Sequence, residues 1–164
     1  MRSTFMKVFL GLIGFAACLL VGGAFRPANA ESPVPLAVVV AKNSPLTDLS
    51  TYELRHLYLG EFVTGPDGKR LIPLNQTTQS RDRLTFDAAV LDMSADQQAA
   101  YWIDRRIRGM SGSPRAVDSS DLAQRVVARL DGAVTYLPAS AVRPDVKIVR
   151  VDGKLPTDPD YRLR

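Results

Sequence analysis

Leu36 to Ala41 reads LAVVVA, six apolar residues in succession with three valines together. A strand with one wet face alternates apolar and polar side chains. An unbroken apolar run of this length instead suits a strand buried on both faces, in a parallel or mixed sheet covered by helices. The chain therefore predicts a layered α/β domain.

The covering helices and further strands can be read downstream. Ser50 and Glu53 have capping-box spacing and open a helix carrying Tyr52, Leu54, Leu57 and Tyr58, which Gly60 ends. Turn residues 64–68 precede a short strand at 71–74, whose Pro73 indicates an edge or a strand end. A second helix starts at Ser80 with Leu84, Phe86, Val90 and Leu91 as its apolar residues. A third starts at Ser94, capped with Gln97, runs through Tyr101, Trp102, Ile103 and Ile107, and stops at Gly109 before a loop at 110–114. The fourth begins near Ser119 or Ser120, sets Leu122, Val126, Val127 and Leu130 on one face, and closes at Gly132. Strands follow at 133–137 and 146–151, and the polar stretch 156–164 reads as a loose tail after a domain spanning 31–155.

The first thirty residues differ in kind. Arg2 and Lys7 precede an apolar stretch from Val8 to Phe25, followed by Pro27 and the triplet Ala28-Asn29-Ala30. This is the order of a secretory signal peptide, with cleavage after Ala30 and delivery to the periplasm or the exterior. The apolar run also reaches the ~18 residues of a membrane anchor, but Gly11, Gly14, Gly22 and Gly23 weaken a spanning helix. A lipidated Cys18 is a third possibility, with a poor lipobox in Phe15-Ala16-Ala17 and an apolar continuation to Phe25.

Cleavage changes the charge balance. It removes three of the 21 basic residues (Arg2, Lys7, Arg26) and none of the 17 acidic ones, leaving a net charge of +1. Nucleic acid is not the expected partner, nor is stable membrane insertion after cleavage. The only cysteine leaves with the leader, so no disulfide is available and the core must hold the domain.

Catalytic chemistry is poorly provided for. The single histidine, His56, lies mid-helix, and one imidazole without a thiol builds no triad or histidine-rich metal site. It reads as a surface or boundary residue, and neither enzyme activity nor a cofactor is expected. Asp158 and Asp160 form a carboxylate pair, but in the tail.

More informative is the polar segment 75–83, between a strand end and a helix start, where unpaired N–H groups and the helix dipole attract anions. Thr77, Thr78 and Ser80 offer hydroxyls there, and Arg81 and Arg83 offer guanidinium groups. The alternative is that Thr78 or Ser80 caps the helix and the arginines are solvated surface. A second basic cluster, Arg105, Arg106, Arg108 and Arg115, flanks the 110–114 loop; cations in a last helical turn also complement the dipole. Tyr101 and Trp102 read as core or boundary packing.

Five segments in order, VVVAKNSPLTDLSTYELRHLYLGE, PDGKRLIPLNQ, SRDRLTF, YWIDRRIRGMSGSP and DGAVTYLP, span most of residues 37–138. Together they resemble the short periplasmic relatives of the phosphate-binding proteins of ABC transporters, in the type 2 periplasmic binding protein superfamily. The resemblance implies a single lobe of that fold, export to the periplasm, phosphate or another oxyanion as ligand, and a transporter or envelope protein as partner. Phosphate binders grip the anion with a Ser-Gly-Thr stretch at a helix start, preceded four residues earlier by an arginine. Here Ser80 keeps the serine, Arg81 and Asp82 replace the glycine and threonine, and Gln76 stands where the arginine would be. Two readings follow: a binding module with weak or altered oxyanion recognition, or an accessory protein that kept the lobe and lost the anion site.

Overall fold

The computed structural model describes residues 34–164, so the expected leader and the expected cleavage after Ala30 lie outside the described residues. Strands β1 (Leu36–Ala41), β2 (Asp48–Leu49), β3 (Ile72–Gln76), β4 (Arg115–Val117), β5 (Ala133–Pro138) and β6 (Val146–Val151) form one sheet in the order β2-β6-β1-β5-β3-β4. β1 runs antiparallel to both of its neighbours, β5 and β6, and the remaining pairings are parallel. The sheet is therefore mixed. The helices are α1 (Thr51–Tyr58), α2 (Arg81–Phe86, continuing as a π turn over Asp87–Leu91), α3 (Ala95–Ile107) and α4 (Ser120–Val127).

The apolar run is explained by two cores. Leu36, Val38 and Val40 point into one, with Leu54, Leu57 and Tyr58 of α1 and Phe86, Val90 and Leu91 of the second helix. Ala37 and Val39 point into the other, with Ala123 and Val127 of α4. Each valine of β1 is almost wholly removed from water, which contributes ~1.5–3 kcal/mol per side chain.

Both capping boxes form. In α1, the Glu53 N–H donates to Ser50 Oγ at 3.1 Å and the Ser50 N–H to the Glu53 carboxylate at 2.8 Å. In α3, Ser94 and Gln97 exchange the same bonds at 3.3 and 2.8 Å. Gly132 takes φ +76° ahead of β5, where a Cβ would stand 2.6 Å from the Arg70 carbonyl oxygen. A side chain there would push β3 away from β5.

Some elements depart from the sequence reading. β2 and β4 are strands of two and three residues, too short for a periodic signal. Pro73, the second residue of β3, sits where the strand is a sheet edge, since β4 begins opposite Leu74. α4 buries Ala123, Gln124 and Val127, whereas Leu122 and Leu130 stay exposed. The 156–164 tail, expected to be loose, is docked. Tyr161 and Leu163 are buried in the α1-side core, and the Leu36 N–H donates to the Leu163 carbonyl at 2.8 Å. Two apolar side chains two residues apart reach the sheet together, and Arg162 between them donates to the Ala89 carbonyl at 2.9 Å. No helix of the described residues is long and apolar enough to cross a membrane.

Candidate anion site at the start of α2

β3 ends in two buried polar residues, Asn75 and Gln76. The phenol of Tyr136 donates to Asn75 Oδ1 at 2.5 Å, and burial raises the pKa of that phenol far above its usual range. Gln76 Nε2 donates to the Tyr136 carbonyl at 3.0 Å and to Ser120 Oγ at 3.3 Å, tying β3 to β5 and to the start of α4. The chain then leaves the sheet through a turn in which the Ser80 N–H donates to the Thr77 carbonyl at 3.0 Å.

Ser80 stands at the N-cap position of α2 but does not cap it. Its hydroxyl turns back to Gln76 Oε1 at 3.4 Å. By contrast, the serines ahead of α1, α3 and α4 each accept a bond from the first helical turn. An uncapped start leaves N–H groups turned outward, where the dipole favours an anion. Thr77, Thr78 and Arg81 are exposed beside it. Asp82, half-buried in the same turn, opposes an anion; burial raises its carboxyl pKa, with Arg81 pulling the other way.

Arg83 does not belong to this surface, contrary to the sequence reading. It is only 7% exposed and spends its guanidinium internally. Nε lies 2.5 Å from Asp87 Oδ2, Nη1 donates to the Gln76 carbonyl at 3.2 Å, and Nη2 donates to Gln98 Oε1 at 2.9 Å. The side chain thus joins α2, the end of β3 and α3. Leu84, expected in the core, is instead 52% exposed. The phase of the helix was decided by Phe86, which stacks on Tyr136 with ring centroids 3.8 Å apart. Residues 83, 86 and 87 share a face at spacings of three and four, so burying Phe86 carries Arg83 and Asp87 inward. That spacing was visible in the sequence, and with it the role of Asp87, which the sequence reading missed; Gln98 reaches Arg83 from α3, a contact that no local spacing signals.

The second basic cluster is likewise not one surface. Arg105 bridges α3 to the end of α1, bonding the Gly60 carbonyl and Ser111 Oγ, both at 3.3 Å, and the Tyr101 hydroxyl at 3.2 Å. It also lies over the Tyr101 and Trp102 rings, which are half-buried boundary residues. Arg108 pairs with Asp104 at 2.9 Å, and Arg115 extends from β4. Arg106 is exposed. His56 packs against the Tyr52 ring at a tilt of 49° and meets Glu61 at 2.5 Å, a helix-boundary arrangement.

No protein-family model matches the chain. Solved structures are similar to it, among them three receptors. One is an ABC-type phosphate transport receptor from Vibrio cholerae, with 18% identity, a TM-score of 0.64, and coverage of 79% of this chain and 52% of that one. A putative phosphate ABC transporter substrate-binding protein with bound phosphate from Clostridium perfringens gives 22%, 0.60, 75% and 47%. PstS from Borrelia burgdorferi gives 14%, 0.61, 79% and 53%. The chain spans about half the length of each. It has the fold of a periplasmic-binding-protein-like domain, shared with the substrate-binding proteins of phosphate transporters.

Proposed function

We propose that this chain is an exported solute-binding-type domain of the cell envelope, without catalytic activity, that recognises phosphate or a similar oxyanion weakly. The observation that carries this reading is the uncapped start of α2, with Thr77, Thr78 and Arg81 exposed around it, in a fold shared with proteins described as phosphate receptors. Ser80 is within reach of the same point once its hydroxyl leaves Gln76. The leader ending at Ala30 is consistent with periplasmic work beside a transporter, and intact mass of the protein recovered from the periplasm should correspond to a chain beginning at Glu31.

Affinity should be low. One lobe leaves a bound anion facing water, where each charged contact is worth ~1 kcal/mol or less. Calorimetric titration with phosphate and sulfate should give binding no tighter than roughly 100 μM. Submicromolar binding would contradict a half-site.

A second reading is favoured by a specific observation: Gln76 and Arg83 are both satisfied internally. An accessory protein that kept the lobe and lost the ligand would look like this, and it predicts no response to either anion.

A further inference from the structure

At the far end of β3 from the α2 junction lies a groove of about 620 Å³. β4 pairs only with Leu74 to Gln76, so Ile72 and Pro73, which pair with β5 on one side, have no strand on the other. The opposite wall is the outward stripe of α4 and its extension, Leu122, Val126 and Leu130, spaced four residues apart. Ile72, Leu122 and Leu130 are exposed large apolar side chains gathered in one concave place. Both the volume and the apolar lining match small-molecule sites, which fall at roughly 300–1,000 Å³.

The rim is charged. Arg70 and Arg115 line the groove, both exposed, and neither meets a carboxylate among the described residues. Arg70 is held over the Phe62 ring, 5.4 Å from its centroid. Two carboxylates also line the groove, and each has another role. Glu61 meets His56 at 2.5 Å, and Asp118 directly precedes the N-cap Ser119, where negative charge complements the start of α4. An apolar trough with two free guanidinium groups at its mouth is complementary to an amphipathic anion, because a guanidinium binds a carboxylate through two parallel hydrogen bonds.

We propose that this groove binds a medium-chain carboxylate, its chain along Leu122, Val126 and Leu130 and its carboxylate at Arg70 and Arg115. The site is separate from the α2 junction and takes a different chemical class.

The experiment is calorimetric titration of the purified protein with sodium decanoate below its micellar concentration, with decylamine and inorganic phosphate as parallel ligands. Decanoate should saturate at one molecule per chain, and decylamine should bind about tenfold more weakly or not at all. Arg70→Ala and Arg115→Ala, both at exposed positions, should each weaken decanoate about five- to tenfold. Leu122→Trp should fill the groove and abolish binding while the protein melts as the parent does. Phosphate in the same samples reads the α2 junction, and Leu122→Trp should leave that response unchanged. Absence of saturable decanoate binding, equal binding of decylamine, or full affinity in the arginine variants would overturn the proposal.

Discussion

The Arg83 guanidinium Nε lies 2.5 Å from the Asp87 carboxylate, one helical turn later, with the two side chains only 9% and 8% exposed. Burial pushes the Asp87 carboxyl up, against the lowering effect of Gln98 and Arg83, so the pair stands in an environment that disfavours isolated charge. Removing one partner strands the other. Arg83→Ala or Asp87→Ala should each cost about 3–5 kcal/mol in urea unfolding, whereas Arg83→Met with Asp87→Leu should recover much of that loss. Additive single-mutant costs in the double variant would show that the two side chains do not act as a pair.

The docked tail gives a second expectation. Leu163 is fully buried against the face that Leu36 helps build, so Leu163→Ala should destabilise by about 2–5 kcal/mol. Removing residues 161–164 should cost more, since Tyr161 and the bond from Leu36 go as well. A truncated protein that melts with the parent would mean that the tail does not seal the core.

Both of these sites escaped sequence reading, whereas the central strand and two helix starts did not. LAVVVA disclosed the central strand and the need for two covering layers, because continuous burial leaves no polar positions. The boxes at Ser50 and Ser94 disclosed two helix starts, because capping depends on residues three apart. Arg83 was read as surface because charge usually is; only the competition between Leu84 and Phe86 for one inward direction buries it. The tail was misread because Tyr161 and Leu163 form a signal too short to rise above their polar neighbours. In the candidate site, Thr77 and Thr78 lie in the turn between β3 and α2, and Arg81 opens α2.

Val39 tests the layered core directly. It is fully buried in β1, opposite Thr135 on one side and Ile148 on the other. Val39→Asp places an unpaired charge in the α4-side core, at a cost of at least ~3 kcal/mol against a typical total stability of about 5–15 kcal/mol. Circular dichroism melting should show a largely unfolded protein or a transition lowered by many degrees. A parent-like melt would remove Val39 from the core.

Asp82 provides the sharpest test of the α2 junction, because it is the one charge in that turn opposing an anion. Its carboxyl pKa is raised, chiefly by burial, so acidification neutralises it earlier than an ordinary aspartate. Sulfate is a suitable probe because it stays a dianion throughout this range. Sulfate affinity of the parent should therefore rise as pH falls through the raised pKa. Asp82→Thr removes the like charge and adds a hydroxyl, so it should bind sulfate up to about fivefold more tightly at neutral pH and lose the acid-side gain. Stability carries the same sign. A carboxyl whose pKa is higher in the folded state makes its largest contribution at low pH, below the unfolded value, and loses it as pH rises through the folded value. That slope should disappear in Asp82→Thr. Ser80→Ala should weaken sulfate modestly while leaving the pH dependence in place. Unchanged affinity in both variants would exclude the start of α2 as the anion site, since no ion held there could ignore both the repelling carboxylate and the nearest hydroxyl.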